Sequence, residues 1–178
     1  PISTGNIMYK GHLNLMYGLY QLMSGDERYS QEYTWLTEKI IAEMRKHHAE
    51  GRHEGADCEP GRYFAQCNAI SLLSLKVYDQ MYGTNYADVE ARWTVDFIKA
   101  KITDSEFGFY LKMYQSEMQF CNPMRSGYTN AWTMAFLRPL LCKRRSRSET
   151  ISLSNYGGHD GCQRIQGCSI MAQIEEFD

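Results

Sequence analysis

The apolar positions of this chain fall into helix-like runs that differ in how much of the helix surface they cover. From about Asn6 to Met23, the residues Met8, Leu13, Leu15, Met16, Leu19, Leu22 and Met23 are spread almost all round. A helix apolar on every side is expected to be buried. Ser24-Gly25-Asp26 ends this run, since Gly25 can take the left-handed conformation of a C-cap. In the next run Tyr33, Leu36, Ile40, Ile41 and Met44 share one face, and Glu38, Lys39, Glu43, Arg45 and Lys46 take the other. That spacing predicts an amphipathic helix on the outside of the fold.

The pattern recurs. Tyr20, Met23, Gly25, Trp35 and Ile40 return as Tyr78, Met81, Gly83, Trp93 and Ile98, at a common offset of 58 residues. Identities at one offset on matching parts of two hairpins argue for a structural repeat. The second unit pairs an apolar helix, about Tyr63 to Met81, with an amphipathic one, about Tyr86 to Lys101; Pro60 is expected in the first turn of the apolar helix. A third unit opens at Ser126-Gly127-Tyr128-Thr129-Asn130-Ala131-Trp132, where Asn130-Ala131 echoes Asn68-Ala69, and stops at Pro139. Between the second and third units, Glu106 to Leu111 and Met118 to Phe120 read as short strands or an ordered loop.

The expected fold class is therefore all-α: an incomplete α/α toroid, or α/α barrel, of helical hairpins with a short β-like excursion near 106–120. Buried helices would line the axis and amphipathic ones the outside. Two hairpins and part of a third are too few to close such a ring. The reading thus expects a partial barrel domain over 1–141. From Cys142 to Asp178, Ser, Arg and Gly abound and aliphatics are few until Ile170 to Phe177, so this tail is expected to be disordered or altered.

Composition narrows the partners. A formal net charge of -2 gives no reason to expect nucleic acid, and the basic run Lys143 to Arg147 reads as a solvated stretch. No run approaches the roughly 20 apolar residues of a membrane span. The first residues do not have the form of a secretion signal, and the absence of an initial Met points to a processed or partial chain. Six irregularly spaced cysteines leave the redox compartment open.

Chemistry concentrates in Cys58-Glu59-Pro60-Gly61-Arg62-Tyr63-Phe64-Ala65-Gln66-Cys67-Asn68. Cys58 is expected just before the second buried helix and Cys67 two turns into it, on the inner side. A thiol at a helix N-terminus gains from the dipole, although Asp57 and Glu59 oppose ionisation. Spacing alone leaves two structural thiols, a disulfide and a reactive pair all open. His12, on the first buried helix, is either a satisfied core residue or a proton carrier on the same axis. His47, His48, His53 and Cys58 lack the spacing of a metal set, and the adjacent histidines read as a solvated helix end. The pairs Asp57/Glu59 and Asp104/Glu106 are the acids a carbohydrate-active toroid would use.

Two segments, Met8-Tyr9-Lys10-Gly11-His12-Leu13-Asn14-Leu15 and the Cys58 to Asn68 block, resemble the linalool dehydratase-isomerase family. The likeness runs from about Asn6 to Leu140, and none is found after Leu141. It implies an α/α barrel acting without cofactor or metal on terpene alcohols, adding or removing water and moving an allylic hydroxyl. Related domains cyclise prenyl chains. The family's active-site histidine and two cysteines fall on His12, Cys58 and Cys67. Its apolar pocket residues fall on Met8, Phe64, Tyr128 and Trp132, and Tyr63 or Glu59 is placed to steer the hydroxyl. The implied partner is a small hydrophobic isoprenoid. The family also takes an acidic and a tyrosyl residue from a neighbouring subunit's N-terminal region, which implies a homo-oligomer and which this chain begins after. Cytoplasm and periplasm both remain open. The alternatives are a carbohydrate-active enzyme with Asp57 or Glu59 as acid, and a non-catalytic remnant that associates through an open apolar edge.

Overall fold

The computed structural model describes residues 5–141, which are mostly helical with a small antiparallel sheet. The expectations for the tail, including its disorder, its basic run and Cys142, Cys162 and Cys168, lie outside the described residues. Along the chain come α1 (Ile7–Ser24), α2 (Ser30–Ala49), β1 (Arg62–Tyr63), α3 (Ala65–Tyr82), α4 (Tyr86–Lys101), β2 (Leu111–Gln115), β3 (Phe120–Arg125) and α5 (Gly127–Leu141). None of these helices is long and apolar enough to cross a membrane.

The repeat is visible in how helices end. Gly25 closes α1 at φ 68°, and Gly83 closes α3 at φ 71°. Each donates its N–H to the carbonyl four residues back, Gln21 or Asp79. A side chain would strain this left-handed geometry, which is why the same residue stands at both sites.

Burial of α1 differs from the all-round burial its composition predicts. Its buried residues are Ile7, Lys10, Gly11, Asn14 and Gly18. Met8, Met16 and Met23 are 41%, 66% and 73% exposed. The reason lies in how α1 meets α3, to which it runs parallel (Ile7 pairs with Ser71, Asn14 with Ser74, Gln21 with Tyr82). A Cβ on Gly11 would collide with the Ser71 hydroxyl and lie 3.1 Å from Ser71 backbone atoms; one on Gly18 would collide with the Tyr33 hydroxyl. Small residues let the two backbones close together, and polar ones then tie the contact. The Asn14 amide donates to Ser74 Oγ at 3.1 Å and its oxygen accepts from Thr37 at 3.1 Å. Lys10 is ion-paired with Glu43, whose second oxygen accepts the Gly5 N–H.

By contrast α3 is buried along most of its length, as expected of an apolar inner helix. The amphipathic readings of α2 and α4 hold. Tyr33, Leu36, Ile40, Ile41 and Met44 are the buried face of α2, and Ile98 and Val95 belong to that of α4. At roughly 1.5–3 kcal/mol for each fully buried aliphatic side chain, this stripe outweighs anything on the charged face.

The sheet has the order β1-β2-β3, all antiparallel, with Tyr63 opposite Tyr114 and Tyr114 opposite Cys121. Pro123 is tolerated because β3 is an edge strand. Two expectations shift here. Arg62 and Tyr63 are strand, so α3 begins at Ala65. The hairpin also lies later than Glu106 to Leu111 and Met118 to Phe120. The Asp104 carboxylate accepts the Glu106 and Phe107 N–H groups, which folds that stretch into a turn. Finally, α5 continues past Pro139 to Leu141, with the proline in its last turn.

Candidate active site

Pro60 and Gly61 do not start a helix. Arg62 N–H bonds Glu59 O at 2.8 Å, and Gly61 has φ 69°. Proline second and a left-handed glycine third make a type II turn. That turn sends the chain back along Cys58, whose N–H bonds Arg62 O at 3.0 Å. Cys58 therefore sits between the first turn of α1 and the first turn of α3. Its carbonyl accepts the Asn6 N–H at 2.9 Å, and the Asp57 carbonyl accepts the Ile7 N–H at 3.1 Å. Cys67 is the third residue of α3, closer to the helix start than expected.

The two sulfurs are 3.4 Å apart, with Cys67 Sγ donating to Cys58 Sγ, and both are free thiols. The hydrogen bond from Cys67 draws the Cys58 thiol down to about 7. Burial opposes this, and the Met8 N–H on the sulfur assists it. Cys67, only 2% exposed, is pushed far up by that same bond and by burial. The pair thus divides into a thiolate acceptor and a persistent thiol donor.

His12 is half-buried on α1, its Nδ1 2.7 Å from Met8 O. A carbonyl only accepts, so Nδ1 carries the proton and Nε2 is left for other chemistry. Both groups meet at one residue: Met8 faces Cys58 with its N–H and His12 with its carbonyl. The imidazole lies 5.7 Å from the Trp132 ring and 6.4 Å from that of Phe136. Phe136, Phe64 and Cys58 all pack against the main apolar cluster, of which Cys67 is part. Sequence reasoning missed Phe136. Its position one helical turn beyond Trp132 was the available signal.

The remaining sequence-derived residues divide. Met8, Tyr128 and Trp132 are 41%, 58% and 42% exposed. Phe64 is half-buried and caps α3 in extended conformation. Tyr63 is fully buried in the second apolar cluster, 5.1 Å from the His53 ring, with no hydrogen-bond partner for its hydroxyl among the described residues. Glu59 is paired with Arg62 at the surface, and Asp104 with Arg125.

Asn68, beside Cys67, fixes the loop that carries Cys58. Its amide oxygen accepts the Ala56 N–H at 2.8 Å, and its nitrogen donates to Ala56 O and Phe64 O. Asn130 repeats the arrangement on Tyr110 N–H, Tyr110 O and Ser126 O. The Asn-Ala echo in the sequence is therefore a structural latch used twice. Gly55 is needed beside it, since a Cβ there would lie 2.5 Å from Asn68 Oδ1.

At the end of α2 the expected solvated helix end holds for His48, which is exposed, but not for His47. His47 and His53 are 6% and 4% exposed, their rings 4.6 Å apart. His53 Nε2 is 2.8 Å from Asp57 Oδ1, and His47 Nδ1 bonds Gly55 O at 3.1 Å. Burial would raise the Asp57 carboxyl, but bonds from His53 and the Gly61 N–H hold it below the usual range. His48, pointing the other way, stacks on Trp93 at 3.9 Å. The two adjacent histidines do diverge; it is the loop folding back over His47 that buries it.

The local match thus centres on His12, the thiol pair and the turn between them. Across the chain, the sequence profile of the family described as linalool dehydratase/isomerase matches residues 1–150, beyond the stretch of likeness read from the residues at both ends. The chain belongs to the linalool dehydratase/isomerase family.

Proposed function

We propose that this chain is a cofactor-independent lyase/isomerase of isoprenoid alcohols, in which His12 and Cys58 move the protons and Cys67 sets the ionisation of Cys58. The observation that carries the reading is the thiol pair at 3.4 Å, with His12 held on the same residue, Met8, whose N–H faces Cys58. Family membership supports the reaction class. In dehydration, the Nε2–H of the His12 imidazolium protonates the allylic hydroxyl. The C–O bond breaks, water leaves, and an allylic cation remains. The Cys58 thiolate takes a proton from the adjacent carbon, whose C–H pair becomes the new double bond. Return of water to the other end of the allylic cation moves the hydroxyl instead. Trp132, Tyr128 and Phe64 supply ring faces to the cation, and Met8 an apolar wall.

We further place α1 and α3 among the inner helices of an α/α toroid, with α2 and α4 outside. Their parallel packing and the amphipathic faces of the outer pair support this. Exposure of Tyr128 and Trp132 means that a dry pocket needs a cover, which favours action as an assembly. The carbohydrate reading draws no comparable support. Asp57 is engaged by His53, Arg52 and Gly61, and Glu59 by Arg62.

The test is turnover of a tertiary allylic monoterpene alcohol, followed by gas chromatography. Cys58→Ala and His12→Ala should each lower the rate by about 10²–10⁴-fold, the usual worth of a general acid or base, with the helical circular dichroism unchanged. Full activity in Cys58→Ala would sink the mechanism.

A further inference from the structure

We infer that His47, His53 and Asp57 form a binding site for a divalent transition metal of the zinc type, which staples the Cys58-bearing loop to the end of α2. The three side chains are buried, and one ligand atom from each lies within 4.8 Å of the others. They are the one such grouping of metal-ligating residues among the described residues.

The details fit an ion better than a closed hydrogen-bond network. Donation of His47 Nδ1–H to the Gly55 carbonyl leaves its Nε2 as a lone-pair donor, the orienting contact that metal-bound imidazoles commonly have. His53 Nδ1 is buried and has no hydrogen-bond partner among the described residues. An orphaned buried nitrogen of this kind is destabilising unless something occupies it. Asp57 Oδ2 is already held by the Gly61 N–H and by Arg52, and Oδ1 lies 2.8 Å from His53 Nε2, so a metal would take the place of the proton between those two atoms. Among the described residues the Arg52 guanidinium is the one permanent cation bonded to this carboxylate; it stands at 3.3 Å and its side chain is 36% exposed, so solvent screens it.

Two imidazoles and one carboxylate suit zinc and its neighbours rather than calcium or magnesium, which prefer all-oxygen sets. Zinc distances of about 2.0–2.2 Å would draw the ligand atoms to about 3.4 Å from one another, within reach of side-chain rotation. The loop from Gly51 to Gly61 contains no helix, so a metal that spans its base replaces the order that secondary structure would supply. This site is separate from the proposed reaction: its ion would act on loop geometry, and its test does not read turnover.

The full chain would be stripped with chelator, equilibrated with Zn²⁺ or Co²⁺, and dialysed. Metal content is measured by mass spectrometry, folding by circular dichroism and thermal melting. The expected result is a single retained ion per chain and a raised melting temperature, with a cobalt spectrum that lacks thiolate charge-transfer bands. His47→Gln and His53→Gln should lose the ion, while Cys58→Ser keeps it. Should either histidine variant unfold, Asp57→Asn, which preserves size, is read in its place. No retained ion in the wild-type chain overturns the inference. So does an ion that survives His53→Gln or Asp57→Asn, or one that disappears in Cys58→Ser, since the thiol pair would then be the ligand.

Discussion

At the scale of single residues, the division of labour between the two thiols is the sharpest result. A Cys58 thiol drawn down to about 7 is ionised as pH rises through neutrality, and the thiolate is the form that reacts. Alkylation of Cys58 in chelator-treated protein should therefore rise with pH and reach half its plateau near 7. Cys67 should stay unmodified across that range. In Cys67→Ala the donor to the thiolate is gone, and the midpoint should move up toward the ordinary thiol range of about 8.5. A midpoint that does not move would mean that the Met8 N–H alone sets the ionisation. His12 contributes differently: its tautomer is fixed by a carbonyl of its own helix, so its availability does not depend on the cysteines.

At the scale of elements, the contact between α1 and α3 is the one to probe. Gly11→Ala would improve helix propensity by about 1 kcal/mol, but its Cβ has no room against Ser71. Overpacking should win, and urea unfolding is expected to show a net loss of about 1–3 kcal/mol. A stabilised variant would show that α1 can move away from α3. This contact also marks where sequence reasoning stopped. Helix existence was legible for α2 and α4, and for α4 the limits too, because charge and apolar residues separate cleanly on them. For α1 the apolar residues pointed to burial all round, while the real interface is built from Lys10, Gly11, Asn14 and Gly18. Pattern reading weights hydrophobic bulk and does not see that close backbone approach selects small residues. Of the candidate site, the closeness of Cys58 to Cys67 was legible from the sequence block. Its geometry was not, because Pro60 fits a helix start and a type II turn equally well, and only Gly61 at positive φ decides between them.

For the molecule as a whole, what α1 leaves uncovered matters most. Met16, Met23, Tyr128, Trp132 and Met134 are 66%, 73%, 58%, 42% and 63% exposed. We propose that these residues contribute to a surface that associates with another copy of the chain. Sedimentation velocity should show a mass that grows with concentration, and Met16→Lys with Met23→Lys should shift it toward the monomer. A sharply monomeric wild-type chain would count against the assembly. One further consequence follows from the latch at Asn68, which grips Ala56 from the residue next to Cys67. The loop that carries Cys58 is thus tied to the helix that carries Cys67 in part by an amide without proton chemistry. Reactivity of the pair can therefore be retuned, by selection or by design, at position 68, with both thiols left untouched.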